Sequence, residues 1–392
     1  MHPFLIRTSR LAAFAAVGFI PVFGLAQDES KKAAPGEKPA EKAAADPASS
    51  AGPAQQAYQA KFTHWKNLLQ KLRKLKTDYQ TAATAELPAI EKKWNDLMKQ
   101  GDAMLPGIRD SALAAYKESP NTDRNLVKFL FKIMEDMMAR DDYSASLAIA
   151  MALDENNSGF DESLRIAAVA AFSSNNFDLA ETYFGRAEQA GVLSGQALEI
   201  RDTVSEYKDL WKVESELREK EAKANDLPRV KITTTKGDVV IELFENEAPD
   251  TVGNFVNLVE KGFYDGVPFH RVLSGFMAQG GCPVGDGSGG PGYKIYCECR
   301  KPEHRKHFSG SLSMAKTAAR DTGGSQFFIT YRPTPHLNGK HTVFGRVLEG
   351  MEHVTDLVRR TPETKEGDLP DKILKAVVIR KRDHEYKPNP VQ

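Results

Sequence analysis

The chain has 392 residues, with 53 basic and 53 acidic side chains, so its formal net charge is zero. That length points to two or three domains, and the neutral balance excludes a broad electrostatic footprint for nucleic acid. Its three cysteines, Cys282, Cys297 and Cys299, are too few for a disulfide-built scaffold.

In chain order, residues 1–26 read as a secretory signal peptide. Arg7 and Arg10 supply a positive start, an apolar run follows from Leu11, and Gly24-Leu25-Ala26 offers small residues at the cleavage positions. The run is about 16 residues, broken by Pro21, and so short for a bilayer span of roughly 20. Cleavage after Ala26 and export, to a periplasm or outside the cell, are expected, with no stable membrane span afterwards. Residues 27–56 are Ala-, Lys- and Pro-rich with almost no large apolar side chain, and read as a disordered linker.

Residues 57–226 read as an all-α domain. Tyr58, Phe62, Trp65, Leu69 and Leu72 form one helical stripe, and Leu87, Ile90, Trp94 and Leu97 begin another that Gly101, Pro106 and Gly107 are expected to interrupt. RDDYSASLAIAMALD (140–154) and SNNFDLAETYFGRAE (174–188) align at an offset of 34 residues, pairing Tyr143 with Phe177, Ser146 with Ala180, Ala150 with Phe184 and Leu153 with Ala187. Leu130 with Leu164 and Met134 with Ala168 keep the same offset. That period resembles tetratricopeptide repeats, the alternative being a generic pair of helical hairpins. The polar stretch 206–226 reads as a solvated helix leading to a linker.

At Pro228 the periodicity changes. RVKITTTKGDVVIELF reads as a hairpin turning at Lys236-Gly237-Asp238, TVGNFVNLVEKG as one helix ending at Gly262, and LKAVVIRKR (374–382) as a closing strand. Many short strands with turn signals point to a sandwich or barrel. In FHRVLSGFMAQGG (269–281), Phe269–Val272 and Phe276–Gln279 read as strands around a Ser274-Gly275 turn. A period of two places Phe269 with Arg271 and Met277 with Gln279.

FHRVLSGFMAQGG, HFSGSLSMAKTAARDTGGSQFFIT (307–330) and PTPHLNGKHTVFGRV (333–347), in that order, resemble the cyclophilin family of peptidyl-prolyl isomerases. The resemblance covers residues 228–382; residues 383–392 read as a tail. It implies a closed eight-stranded antiparallel β-barrel capped by two helices, with a shallow outer groove as the site. It implies Arg271 as the catalytic residue and Phe276, Met277, Gln279, Ala315, Phe328, Leu337 and His341 as groove residues. Lys316 and Thr317 would follow along the edge that pairs with bound peptide. His336 stands where many eukaryotic members carry tryptophan, which implies weak cyclosporin binding. Lys316 replaces a usual asparagine, which implies some preference for acidic substrate residues. The loop between Ala315 and Gly324 is one residue longer than the common eukaryotic form.

The reaction needs no nucleophile, base, metal or cofactor, because rotation about an X–Pro bond makes and breaks no covalent bond. The substrates implied are proline-containing polypeptides, and little pH dependence is expected near neutrality unless His336 or His341 shapes the groove. Cys297, Cys299, His304 and His307 form a rival zinc set, although the C-x-C spacing is narrower than usual. Pairing of Cys282 with Cys297 or Cys299, or free thiols, are the other readings. Two alternative functions stay open: a non-catalytic peptide-binding module, and a chaperone built on the helical domain.

Overall fold

A computed structural model of the chain describes residues 52–363 and 369–392. The signal-peptide reading and nearly all of the linker reading lie outside the described residues. The chain divides into two compact units, Met1–Asp136 with Ala148–Ser163, and Met137–Leu147 with Leu164–Gln392.

The first unit is led by α1 (Pro53–Thr81) and α2 (Leu87–Glu118), an antiparallel hairpin. Trp65, Leu69 and Leu72 of α1 and Trp94, Leu105 and Ile108 of α2 are buried, so the apolar stripes read from the sequence do form the core. The carboxylate of Glu118 accepts from the amides of Ala54 and Gln55 (3.4 and 3.1 Å), where a negative charge meets the unpaired N–H groups of a helix start. The expected interruption at Gly101, Pro106 and Gly107 does not occur, because α2 runs through all three. The apolar face of α2 continues past Pro106 to Ala112, Ala115 and Tyr116. Burial of that face outweighs the one helix bond that proline removes, and Lys61 Nζ reaches the Gly107 carbonyl (3.1 Å).

Four further helices follow, α3 (Arg124–Ala139), α4 (Tyr143–Glu155), α5 (Glu162–Ser173) and α6 (Phe177–Gln189). The ends of α3 and α5, and both ends of α4 and α6, are offset by 34 residues. All the paired positions read from the sequence, from Tyr143 with Phe177 to Met134 with Ala168, are buried in both copies. The turns repeat as well. Asp141 and Asn175 are left-handed (φ 65° and 61°), and the next amide in each case bonds back to a helix carbonyl, Asp142 to Met137 and Asn176 to Ala171 (both 2.9 Å).

In the second unit, α7 (Gln196–Arg201) leads into α8 (Val204–Ala224). The sequence reads α8 as solvated, and one of its faces is not. Tyr207, Trp211, Glu214, Arg218 and Glu221 fall on one stripe, and Tyr207, Glu214 and Glu221 are buried. Arg305 explains the buried carboxylates. It binds Glu214 through two nitrogens (2.8 and 2.9 Å) and also donates to Glu221. Its guanidinium lies 3.7 Å from the Phe244 ring centroid.

The C-terminal sheet contains β1 (Arg229–Thr234), β2 (Asp238–Leu243), β3 (Arg271–Leu273), β4 (Met277–Gly280), β5 (Ser311–Met314), β6 (Phe327–Thr330), β7 (Val343–Glu349) and β8 (Ile373–Arg380). Their order is β3-β4-β6-β5-β7-β2-β1-β8, and every pairing is antiparallel. Helices α9 (Pro249–Glu260) and α10 (Met351–Thr355) accompany it. Phe255 of α9 meets Tyr264, Phe327 and Phe344 with centroids 5.2 to 5.6 Å apart, the aromatic centre of the core.

The closed barrel expected from the resemblance is not reached, and the eight strands form an open half-barrel. Its end strands β3 and β8 do not pair with each other. The chain just before each one meets at a single bridge, Pro268 with Lys372. The Phe269 and Ile373 amides close that bridge on the Asp371 and Val267 carbonyls (both 2.9 Å), and β3 is only three residues long.

Candidate functional site

The site is built on the β3–β4 hairpin. Gly275 takes a positive φ of 70° at its turn, and Gly281 (φ 84°) ends it. A Cβ on Gly281 would lie 2.3 Å from the Ser325 carbonyl oxygen, so only glycine fits there. Across the ladder Arg271 opposes Gln279, and Gln279 opposes Phe328 on β6. One row therefore places Arg271, Gln279 and Phe328 on the same face.

Beneath that row Met277, Ala315 and Phe328 form a buried apolar cluster, with Leu273, Phe276 and Leu337 packed against it. The Arg271 guanidinium lies 5.8 Å from the Phe276 ring centroid and hydrogen-bonds none of the described residues. Phe276 faces His336 (5.6 Å), and Phe328 meets His341 edge-on (5.5 Å). His341 is held by its Nδ1 at the Met314 carbonyl (3.0 Å). The structure thus brings together Arg271, Phe276, Met277, Gln279, Ala315, Phe328, His336, Leu337 and His341.

Lys316 follows Ala315 on the chain, but its ammonium turns back to the carbonyls of Thr317 and Ala319 (3.2 and 3.4 Å). Phe269 departs from the alternation read from the sequence. It lies outside β3, and its ring meets Phe327 in the core (6.5 Å) rather than sharing a face with Arg271. Residues 269 and 270 lie between the Pro268 bridge and β3 and belong to no strand, so period two does not extend back to Phe269.

The sequence reading missed Gln326 as a support. It accepts from Gln279 Nε2 (3.0 Å) and donates to the carbonyls of Gly287 and Gly289 (2.7 and 2.9 Å). Its place one residue before Phe327-Phe328 was visible, but its aim was not. The sequence offers His307 only as a member of the zinc set. Its ring stacks on Phe328 (5.9 Å, 4° between planes) behind the groove. Nδ1 faces Asn338 Oδ1 (3.0 Å) and Nε2 faces Ser313 Oγ (2.9 Å). Because Asn338 Oδ1 can only accept, the proton is assigned to Nδ1. Both ring nitrogens are therefore engaged, which removes His307 from the zinc reading. His304 directs Nδ1 at its own loop, to the Lys301 carbonyl (2.7 Å).

All three cysteines are free thiols, so neither pairing with Cys282 forms. Cys282 Sγ accepts from the Gly289 amide (3.2 Å), and Cys297 Sγ from the Asp321 amide (3.3 Å). Burial raises the Cys282 pKa, but hydrogen bonds from backbone amides, Gly289 foremost, outweigh it and the thiol ends below its ordinary value.

The histidines of the site are kept neutral. Burial lowers His341 and His336, with Lys316, Lys340 and Arg332 adding repulsion. Burial holds His307 down at about 3. Since an unfolded histidine titrates near 6.5, only the unfolded chain binds this proton between those values. The stability that neutral His307 contributes is fully present above about pH 6.5 and is lost as pH falls toward 3, at up to ~1.4 kcal/mol per pH unit. Urea unfolding of wild type and His307→Gln between pH 7 and 4 should therefore give a shallower acid loss in the variant. Parallel losses would show that the ring is not held neutral.

Set beside known proteins, residues 229–382 match the family model described as cyclophilin type peptidyl-prolyl cis-trans isomerase/CLD. A peptidyl-prolyl cis-trans isomerase of Helicobacter pylori is 50% identical over 145 residues, 36% of this chain and 83% of that relative. The chain belongs to the cyclophilin family. A peptidyl-prolyl cis-trans isomerase B of Bacillus subtilis is 56% identical over 119 residues, 30% of this chain and 82% of the relative. A crystal structure of a Cryptosporidium parvum cyclophilin is 33% identical and covers 40% of this chain and 99% of its own, with a TM-score of 0.36. The cyclophilin match begins at β1 and leaves α1 to α8 outside it. Among the described residues no helix is long and apolar enough to cross a membrane.

Proposed function

We propose that the groove isomerises X–Pro bonds in exported polypeptides and so assists their folding. The observation that carries the reading is the placement of the Arg271 guanidinium, which hydrogen-bonds none of the described residues, beside an apolar floor of Met277, Phe328 and Leu337, with Gln279 in the same row.

The barrier of roughly 18–20 kcal/mol comes from partial double-bond character in the C–N bond. A catalyst must fit the twisted amide better than either planar isomer. As the amide twists, the proline nitrogen becomes pyramidal and gains a lone pair. Arg271 stays charged and offers a rigid fork of donors to that nitrogen or to the adjacent carbonyl. Phe276, Met277, Phe328 and Leu337 bury the proline ring, while Gln279, steadied by Gln326, holds a substrate carbonyl. An acceleration of about 10⁵-fold requires ~7 kcal/mol, within reach of a few preoriented hydrogen bonds and an apolar pocket. His336 and His341 act as neutral walls at pH 7, consistent with weak pH dependence.

Export rests on the pattern of residues 1–26. The helical hairpins, tetratricopeptide-like in their repeat length and buried positions, are read as an accessory to the isomerase. Exchange between the cis and trans forms of a short X–Pro peptide tests the activity directly, and refolding of a proline-limited protein tests the folding role. Peptide exchange at the uncatalysed rate would leave a binding module in its place.

A further inference from the structure

The hairpin that carries Arg271 and Phe276 is short, and its outer side borders no other strand. Two features brace it. The Val272 amide donates to the Arg360 carbonyl (2.8 Å) and the Arg360 amide returns a bond to Val272 (2.9 Å). Both the turn and the segment containing Arg360 are then gripped from the α3–α4 turn, within the same compact unit.

Asp141 does the gripping. One carboxylate oxygen accepts from the Gly275 amide (2.7 Å) and the Tyr143 hydroxyl (2.7 Å). The other pairs with Arg359 Nη2 (2.6 Å). Its side chain is 0% exposed. Arg359 Nη2 also donates to the Arg140 carbonyl (2.9 Å), and Ser274 Oγ donates to the Ala139 carbonyl (2.7 Å). One turn thus binds the tip of the catalytic hairpin and the strap along its edge.

The helical repeat supplies an internal comparison. Asn175 occupies the position equivalent to Asp141 and shares its left-handed backbone. It too binds the backbone of the isomerase domain, accepting from the Ser309 amide (2.9 Å) and donating to the Ser309 carbonyl (3.2 Å). Its contact is with the loop before β5, away from Arg271. Left-handed residues without a glycine are uncommon, and Asn and Asp tolerate that conformation best. Two successive repeats therefore use one position for docking, but only Asp141 reaches the hairpin of the site.

We propose that Asp141 is a positioning residue for isomerisation: by holding the Gly275 amide and Arg359 together it fixes the hairpin that aims Arg271 over the groove. The proposal rests on the assignment of the groove as the active site. Charge-assisted bonds in a water-excluded position are strong and directional, and a catalytic group displaced by about 1 Å can lose up to ~10²-fold in rate.

The test measures kcat and KM of the full chain on an X–Pro peptide. Asp141→Ala is expected to lower kcat/KM about ten-fold, mainly through kcat, and Asp141→Asn and Ser274→Ala about three-fold. Asn175→Ala, which loosens the same kind of contact elsewhere, should stay within about two-fold of wild type. Asp141→Asn should cost no further activity when Arg271 is already alanine, since the two act through one element. A merely structural role would instead lower both backgrounds alike. If Asp141→Ala does not fold, Asp141→Asn and Ser274→Ala, each a smaller change, carry the comparison. Wild-type activity with Asp141→Asn and Ser274→Ala unchanged, or with the Asp141→Asn loss undiminished in the Arg271→Ala background, would overturn the positioning role. An inactive wild type, or full activity in Arg271→Ala, would instead remove the groove assignment beneath it.

Discussion

Replacing Arg271 with alanine is expected to lower kcat/KM for X–Pro isomerisation by about 10²-fold or more while the chain stays folded. The magnitude follows from removing one preoriented donor aimed at charge that develops in the transition state, which costs ~10²–10³-fold in other enzymes. The fold should tolerate the change because the guanidinium is half-buried and hydrogen-bonds none of the described residues. Arg271→Lys should recover little, because an ammonium lacks the planar fork. Peptide exchange measures the rate, and unfolding by urea checks the fold. Arg271→Ala retaining more than half of wild-type kcat/KM would remove Arg271 from the mechanism, though not the family assignment.

The second large effect concerns stability. Arg305→Met is expected to cost ~3–5 kcal/mol, the range for removing one partner of a buried ion pair. Arg305 is the shared cation of Glu214 and Glu221, and all three side chains are nearly buried. Burial raises the Glu214 pKa, yet its bonds to Arg305 and Arg218 overcome this and keep the carboxyl below its usual range. Without Arg305, Glu214 keeps only Arg218 (2.7 Å) and Glu221 only the longer pair with Arg346 (3.7 Å), so the two carboxylates either stay under-compensated in a dry site or take up protons. Both routes favour the unfolded chain. The double variant Arg305→Met with Glu214→Gln should recover part of the loss, since it removes one of the two under-compensated charges. A urea midpoint for Arg305→Met within about 1 kcal/mol of wild type would show that water reaches the carboxylates.

These two arginines mark different levels of legibility. The cyclophilin resemblance singles out Arg271 because FHRVLSGFMAQGG, SMA and GSQFF, and HLNGKH occur in one order along the chain. The groove residues then fell together in space, from Phe276 to His341. Arg305 lies in RKPEHRKHF, a basic stretch whose composition gives no sign of burial. Its partners are on α8, and neither segment reveals the other. Gln326 and Asp141 were hidden for the same reason, as each acts through a contact between distant parts of the chain.

The errors have equally local causes. Pro106 reads as a helix break because propensity is local, whereas burial of the face beyond it is not. Phe269 reads as a partner of Arg271 because alternation assumes a regular strand, and residues 269 and 270 lie outside β3. Barrel closure stops at a single bridge ahead of β3, which is only three residues long.

Sequence by itself determined the organisation of this protein: an amphipathic helical region with a 34-residue period, the change to short strands at Pro228, and the motifs whose side chains meet around Phe328. Those features depend on periodicity and on motifs whose members sit close along the chain. Tertiary structure decided what braces the groove: Asp141 on the Gly275 amide, His307 against Phe328, and Arg305 between two carboxylates of α8. Each of these is a hydrogen-bonded, ionic or stacking contact between residues far apart in the chain, and such contacts leave no period in the sequence because only folding brings the partners within reach.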